Sequence, residues 1–198
     1  MVKKLCKKLY YVTSNSGKFQ EVSKYLAECS PNIELEQLDL GIEEIQTDDQ
    51  MKIAVDKAKK AWDFAKKPLL IDDAAIYFNR YNKFPGTMSK FVSLGMGFEG
   101  IKRIFDEGDK AYFLLYMIYI DGPESYEIFE GRCDGYLTKP ENFNAHPELP
   151  YDAYFIPDNE KLTYAQIRNT PLATKYLYRL QALKKFLEWY TNNKNGIK

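Results

Sequence analysis

The sequence predicts a mixed α/β fold, in which a mixed β-sheet is flanked by helices. Long runs of apolar and aromatic residues, above all LLIDDAAIYF and AYFLLYMIYI, are typical of strands. Three other segments carry apolar residues at helical spacing. Strands and helices do not alternate with a regular βαβ period, so a mixed sheet is favoured over a doubly wound parallel one.

The first half of the chain predicts three strands and two helices. Residues 9–12 form an apolar strand, which turns at residues 15–17 into a helix with one buried stripe. The alternation in IELEQLDL predicts a half-exposed strand. A helix over about residues 48–66 places alanines on one face, and KKPLLIDDAAIYF is an apolar strand interrupted by two aspartates. The helical stripes comprise Phe19, Val22 and Leu26 in the first helix, and Ala54, Ala58, Ala61 and Ala65 in the second.

The second half predicts a long hairpin between two helices. Residues 98–107 predict a short helix, and AYFLLYMIYIDGPESYEIFEGRCDGYLT predicts two long strands joined by the DGPES turn. After the loop KPENFNAHPELP, DAYFIP predicts a short strand. Thr170 and Pro171 predict the start of the last helix, with threonine as N-cap and proline at the first helical position. The stripe of that helix comprises Tyr176, Leu180, Leu183, Leu187 and Tyr190.

Length and composition predict a single domain over residues 1–198, because this length can bury a sizeable core. A hydrophobic fraction of 45% and an aromatic fraction of 15% exclude a disordered chain. Lys+Arg and Asp+Glu each number 28, whereas a dedicated nucleic-acid binder would carry a basic excess. We therefore expect no nucleic-acid partner. A small anion held by a few lysines is compatible with zero net charge.

Cysteine usage and the N-terminal segment predict a soluble cytoplasmic protein. Cys6, Cys29 and Cys133 are widely spaced, odd in number and form no metal-binding pattern, so reduced thiols are the simplest interpretation. The segment MVKKLCKKLYYV has no apolar run long enough for a signal peptide or a membrane span. We therefore expect no membrane partner.

The stretch VTSNSGKFQE is a candidate phosphate site. A turn from strand to helix offers unpaired backbone N–H groups and the positive end of the helix dipole, both suited to an anion. Thr13, Ser14, Asn15 and Ser16 add side-chain donors, and Lys18 adds a charge in the first helical turn. The pattern is not that of a P-loop. Ordinary helix capping by serine and asparagine is the competing interpretation.

Two aspartates interrupt a strand that otherwise predicts burial. Alternation sends Asp72 and Asp73 to opposite faces of the sheet, and an unpaired buried carboxylate is costly, so at least one should lie in a cleft near a cation. Glu43 and Glu44 close the preceding loop. With one aspartate they could supply oxygen ligands for Mg²⁺. The alternative for the glutamates is a pair of solvated loop charges.

Aromatic residues are dense around one aspartate and one arginine near the C-terminus. Tyr151, Asp152 and Arg179 could form a pocket for a planar ring, with stacking from tyrosine and hydrogen bonds from the charged groups. The alternative is an ordinary core. His146 is the single histidine, and no nucleophile-elbow sequence is present, so a Ser-His-Asp or Cys-His system and a multi-histidine zinc site are disfavoured.

Seven motifs, in the same order and over nearly the whole chain, resemble those of the inosine triphosphate pyrophosphatase (Ham1-like) family. Each motif alone is weak, but the set in order is hard to attribute to chance. The motifs are T-x-N-x-x-K-x-x-E from Thr13 to Glu21, EEIQ at 43–46 followed by Lys57 and Ala58, DDAAI at 72–76, FPGTMS at 84–89, Gly131 and Gly135, LPYDAYF at 149–155, and LTYAQI at 162–167.

The resemblance implies an elongated mixed sheet with two lobes and a central nucleotide cleft. It also implies hydrolysis of purine triphosphates such as ITP, dITP and XTP, by Mg²⁺-assisted attack of water at the α-phosphate, to the monophosphate and pyrophosphate. Family members are commonly homodimers, and FVSLGMGF and YLYR would suit an interface. By position, the substrate-binding residues would be Thr13, Ser14, Asn15, Lys18, Tyr151, Asp152, Tyr178 and Arg179; the catalytic residues Lys57 and Asp73; and the metal ligands Glu44 and Asp73.

Departures from the family motifs concentrate at the base end of the implied cleft. The Ser-His-Arg motif, which helps to recognise the 6-oxo edge of a purine, reads here Leu177-Tyr178-Arg179. At the position where the family has a lysine, this sequence has Ala173, and Lys175 could take its place. Ser/Thr-Gly has become AA at 74–75, and Phe-Gly has become LP at 149–150. Two alternatives to the leading hypothesis follow: an altered base preference, or a non-catalytic nucleotide-binding protein.

Overall fold

The computed structural model describes residues 7–194 and contains one mixed seven-stranded sheet. The strand order is β2-β1-β3-β5-β6-β7, and β4 pairs with β3 outside this path. β2, β1 and β3 run parallel, and all other pairs are antiparallel. The strands are β1 Lys7–Val12, β2 Ile33–Leu38, β3 Leu69–Phe78, β4 Pro85–Gly86, β5 Lys110–Ile120, β6 Tyr126–Leu137 and β7 Phe155–Pro157.

Helices cover both faces of this sheet, which confirms the predicted fold class. The α2 stripe of Ala54, Ala58 and Ala61 packs on one face. On the other face α1 and α6 bury residues such as Val22 and Phe186, so each face removes apolar surface from water. The helices are α1 Ser16–Cys29, α2 Gln50–Ala65, α3 Ser89–Ile101, α4 Tyr164–Ile167, α5 Ala173–Tyr176 and α6 Tyr178–Lys194, with a 3-10 helix at Pro150–Ala153.

Capping side chains fix where the first two helices begin. The side chain of Asn15 accepts a hydrogen bond from the backbone N–H of Lys18 at 2.8 Å, and that of Asp49 accepts one from Lys52 at 3.1 Å. Each bond satisfies one of the donors that a helix N-terminus leaves free. Because β1 ends at Val12, the turn into α1 lies beside the middle of β3.

The β5–β6 hairpin forms as predicted, and a glycine on it allows α6 to approach. β5 and β6 pair antiparallel from Lys110↔Tyr136 to Ile120↔Tyr126. A Cβ at Gly131 would overlap the carbonyl oxygen of Tyr178, so only glycine permits this contact. The start of α6 is therefore held against the sheet.

Two predicted elements have wrong boundaries. The helix expected at residues 98–107 is instead α3, Ser89–Ile101, and it contains a non-helical residue, Gly97, with φ 63° and ψ −175°. Glycines weaken the helical pattern there, which hid its first two turns from sequence reasoning. DAYFIP is a strand only over Phe155–Pro157, because Asp152 and Ala153 belong to the 3-10 helix.

The predicted C-terminal helix is divided, and Thr170 is not its N-cap. Thr170 Oγ1 donates to the carbonyl of Ile167 at 2.8 Å and accepts from the N–H of Leu172 at 3.2 Å, which makes a turn before α5. Leu177, with ψ 116°, separates α5 from α6. YLYR, which the sequence suggests for an interface, does not lie on the surface, because Tyr176 and the three residues after it are buried.

Cys29 and Cys133 are free thiols, whereas Cys6 lies outside the described residues. No helix between residues 7 and 194 is both long enough and apolar enough to cross a membrane.

Candidate active site

A cavity of about 730 Å³ lies beside the end of β1, in the size range of small-molecule sites. The structure brings every predicted site residue to its wall. Those from the first half of the chain are Thr13, Ser14, Asn15, Lys18, Glu44, Lys57 and Asp73; those from the second half are Tyr151, Asp152, Tyr178 and Arg179. Residues far apart in sequence therefore share one concave surface.

The β1–α1 turn forms one end of the cavity, and a carboxylate already caps it. Glu148 Oε2 accepts hydrogen bonds from the N–H of Ser16 at 2.6 Å, the Ser16 hydroxyl at 2.6 Å and the N–H of Gly17 at 3.3 Å. The bond from the Ser16 hydroxyl is the main reason that the pKa of Glu148 is lowered. The turn is thus both a capped helix start and an anion site.

Asp72 lies behind the cavity in a buried ion-pair cluster. Its Oδ1 accepts from Lys18 Nζ at 2.8 Å, and its Oδ2 accepts from Arg179 Nε at 2.6 Å. Burial alone would raise the pKa of Asp72, but the two cations hold it well below its usual range. Asp72 is therefore an ionised structural partner of Lys18 and Arg179.

Asp73 points to the opposite face of β3, towards α2, as alternation predicts. Burial is the largest influence on it and raises the pKa of Asp73, against the opposing charges of Lys57 and Lys18. The backbone carbonyl of Asp73 is held by Gln50 Nε2 at 3.1 Å, so the residue is fixed from α2. A carboxylate with a raised pKa in a cavity is suited to accept a proton.

Lys57 lies between the acidic groups of the cavity. Its Nζ is 2.7 Å from Glu44 Oε1 and donates to the carbonyl oxygen of Asp72 at 3.4 Å. Burial lowers the pKa of Lys57, but the charges of Glu44 and Asp73 raise it above the usual value, so the ammonium stays charged. Glu44 is half-exposed at the cavity wall rather than a solvated loop charge.

The other end of the cavity carries aromatic rings and charged groups. Tyr178 stacks on Phe113 with ring centroids 4.7 Å apart, and the Tyr151 hydroxyl donates to the carbonyl of Ser89 at 2.8 Å. Asp152 is paired with Arg168. Burial raises the pKa of Asp152, and the charge of Arg168 opposes that rise.

Comparison with known proteins shows the family of this chain. The family model described as the Ham1 family matches residues 9–189. The chain belongs to the Ham1 family. Two of the most similar relatives are each named dITP/XTP pyrophosphatase. The Methanopyrus kandleri protein is 31% identical over 96% of this chain and 99% of its own, and that of Thermococcus kodakarensis 31% identical over 94% and 98%.

Solved structures share the fold of this Ham1 family member. The Staphylococcus aureus Ham1 protein superposes with a TM-score of 0.74 at 17% identity, covering 94% of this chain and 99% of that one. A HAM1 protein from Coxiella burnetii gives 0.70 at 19% identity, with the same coverage. At these identities the structural likeness supports the fold alone.

Sequence reasoning missed three charged residues of this Ham1 chain. Glu21 ends the first motif, and nothing in the sequence indicates that its side chain is 4% exposed and pairs with both Arg168 and Arg179. Glu148 lies in a loop whose composition gives no sign that its carboxylate binds the N-terminus of α1. Arg168 follows a four-residue helix, and no local pattern marks it as a partner of Asp152.

Proposed function

We propose that this chain is a nucleoside triphosphate pyrophosphatase that hydrolyses non-standard purine triphosphates such as ITP, dITP and XTP to the monophosphate and pyrophosphate. The observation that carries the proposal is the convergence of all the predicted site residues on one cavity. Membership of a family whose relatives are named dITP/XTP pyrophosphatases supports it.

The triphosphate would lie along the end of the cavity formed by Thr13, Ser14, Asn15 and the two lysines. Lys18 and Lys57 supply positive charge, and the α1 N-terminus supplies backbone donors once Glu148 yields them. Electrostatic stabilisation by such pre-placed groups is the largest contribution in phosphoryl chemistry. Lys57 would thus stabilise charge that develops on the phosphate oxygens.

Glu44 and Asp73 are the residues that would hold Mg²⁺. Within residues 7–194 no cluster of three or more His, Cys, Asp or Glu side chains could hold a metal. Two carboxylates completed by substrate phosphate oxygens nevertheless suit Mg²⁺, which commonly binds in this way. Bound there, the ion would neutralise phosphate charge and favour attack at the α-phosphorus.

Asp73 would orient the attacking water and accept its proton. Asp73 lines the cavity, so its carboxylate is placed to act as a general base towards a water beside the bound triphosphate. A bond then forms between the water oxygen and the α-phosphorus, the α–β phosphoanhydride bond breaks, and pyrophosphate leaves. The base would lie among Tyr151, Asp152, Tyr178 and Arg179.

The test is pyrophosphate release from a panel of ITP, dITP, XTP, GTP, ATP and CTP, with Mg²⁺ and with EDTA. Asp73→Asn should lower kcat by about 10²–10⁴-fold, the usual contribution of a general base. Asp63→Asn, on the exposed face of α2, is the matched control and should keep wild-type rates. The absence of Mg²⁺-dependent release from every triphosphate would overturn the proposal.

A non-catalytic nucleotide-binding role is the second candidate, and the departures from the family motifs at the base end of the cavity favour it, since Tyr178 replaces the motif histidine. Nucleotide binding by calorimetry with no turnover, unchanged in Asp73→Asn, would support that role over the enzyme. An altered base preference is the milder alternative. If Tyr178→His leaves the preference for ITP over GTP unchanged, that alternative fails.

We also propose that the protein is a cytoplasmic homodimer. Support for an interface comes from α3, where Phe91 is 54% and Leu94 75% exposed. No support comes from YLYR, which is buried.

A further inference from the structure

A chain of alternating charges runs behind the wall of the cavity and connects its two ends. From the base end the order is Asp152, Arg168, Glu21, Arg179, Asp72 and Lys18. Three anions and three cations alternate, so the net charge of the chain is zero. Its three carboxylates and Arg179 have side chains that are at most 4% exposed.

Arg168, a member of this chain of alternating charges, lies outside the cavity wall and pairs with two carboxylates. Its Nε donates to Asp152 Oδ2 at 2.8 Å, and its Nη2 bonds to the same oxygen. Its Nη1 bonds to Glu21 Oε2, which also accepts from Arg179 Nη1 at 2.7 Å. A planar guanidinium can satisfy both carboxylates at once, whereas an ammonium offers no such fork.

These bonds leave one acceptor and one donor of the chain of charges outside its ion pairs. Both bonds from Arg168 end on Oδ2 of Asp152, so Oδ1 lies outside that ion pair. Arg179 uses Nε and Nη1 for Asp72 and Glu21, while its buried Nη2 has no hydrogen-bond partner within residues 7–194. An acceptor and a donor therefore stand on two residues that line the cavity.

We propose that Arg168 is a positioning residue that sets base discrimination, by holding Asp152 directly and Arg179 through Glu21. This inference rests on the proposed function. A 6-oxopurine presents an N–H donor at N1 beside an acceptor at O6, which complements a carboxylate and a guanidinium. Adenine presents the opposite polarity at both atoms, so it would leave both protein groups unpaired. Arg168 itself touches no substrate.

The test compares Arg168→Met and Arg168→Lys with the wild type on ITP and ATP. We expect Arg168→Met to reduce the ratio of kcat/KM for ITP to that for ATP by about 10- to 100-fold, since hydrogen bonds to charged groups are lost or misplaced. The loss should appear mainly in KM for ITP, because the reacting phosphorus is at the other end of the cavity. Arg168→Lys keeps the charge but not the planar guanidinium, so its ITP-to-ATP ratio of kcat/KM should lie between that of the wild type and that of Arg168→Met.

Arg80→Met is the matched control, because Arg80 also pairs with two carboxylates, Asp106 and Asp109, at a site outside the cavity. It should keep the wild-type ratio. Binding of IMP and AMP, measured by calorimetry, gives a second readout that needs no turnover, and IMP should lose its advantage over AMP in Arg168→Met. Melting curves show whether each variant folds. If Arg168→Met does not fold, the ITP-to-ATP ratio of Arg168→Lys tests the proposal in its place.

The outcomes separate the two proposals. No pyrophosphate release by the wild type from any triphosphate refutes the proposed function, and calorimetry still tests Arg168. An active wild type with folded Arg168 variants of unchanged ITP-to-ATP ratio refutes the role of Arg168. Equal losses on ITP and ATP, or a wild type that does not discriminate between them, refute it as well.

Discussion

At the scale of single residues, neighbouring aspartates occupy opposite environments. Asp72 is buried between Lys18 and Arg179, while Asp73 faces the cavity from the α2 side. One peptide step thus separates a structural ion pair from a candidate base. Sequence alternation predicts this separation, and the identity of the partners decides which aspartate has which role.

Loss of Asp72 should destabilise the protein strongly. Asp72→Asn leaves Lys18 and Arg179 without their shared partner, and we expect a cost of about 3–5 kcal/mol, as for other broken buried pairs. Urea denaturation measures this cost. Asp63→Asn removes only an exposed pair with Lys66 and should cost less than about 1 kcal/mol. Similar losses in both variants would contradict this interpretation.

Asp72 should also govern the loss of stability in acid. The pKa of Asp72 is lower in the folded state than in the unfolded chain, where it is about 3.9. The stabilisation is therefore fully present above that value and is lost as the pH falls towards the folded pKa. Between about pH 5 and pH 2, in metal-free buffer, the melting temperature of the wild type should fall more steeply than that of Asp72→Asn. Parallel curves would contradict this.

The Glu148 cap should compete with phosphate groups. Glu148→Gln removes the charge that interacts with the N-terminus of α1, so pyrophosphate should bind about twofold to fivefold more tightly, the equivalent of about 0.3–1 kcal/mol. Isothermal calorimetry measures this. Glu141→Gln, an exposed residue in the same loop, is the control and should bind as the wild type does. Equal affinity in all three proteins would show that Glu148 does not oppose the ligand.

At the scale of elements, the contact between β6 and α6 depends on Gly131. Gly131→Ala would force the strand away from the Tyr178 carbonyl, and we expect a loss of about 1–3 kcal/mol, typical of overpacking. Gly95→Ala in α3 meets no atom within 4 Å and should instead be neutral or stabilising by up to about 1 kcal/mol. Thermal unfolding of both variants makes the comparison. A tolerated alanine at position 131 would contradict the close approach.

The strands and the first two helices could be predicted because their signals are local. Alternation, helical stripes and the capping residues Asn15 and Asp49 all lie within the elements that they define. The start of the last helix could not be predicted in the same way. Thr170 carries a strong capping signal, but the break at Leu177 depends on how Tyr178 packs against Phe113 and Gly131.

The residues of the candidate site likewise divide into those that could be predicted from the sequence and those that could not. Residues held in short motifs, such as Lys18 and Asp73, could be named from the sequence together with a family resemblance. Arg168 and Glu148 could not, because their partners lie 16 residues away for Arg168 and Asp152, and 132 away for Glu148 and Ser16. Contacts at such separations leave no local pattern in a single sequence.

At the scale of the whole molecule, α3 is the clearest candidate for an interface between copies. A homodimer should elute in size-exclusion chromatography with light scattering at twice the 23.1 kDa of the chain. Leu94→Lys should then give the monomer, because a charge would replace the most exposed large apolar side chain among residues 7–194. Phe64→Lys, on the equally exposed surface of α2, is the control. A dimer disrupted by the control but not by Leu94→Lys would place the interface elsewhere.

The placement of two aspartates on successive positions of β3 has a consequence for the ways in which this protein can change. A substitution alters one side chain and leaves its neighbours where they are. Deleting or inserting a single residue upstream within β3 would turn every following side chain to the other face of the sheet. After a deletion, Asp73 would take the place of Asp72 beside Lys18 and Arg179, and the cavity would lose the carboxylate that β3 supplies. We expect the length of this strand to be far less tolerant of change than its composition.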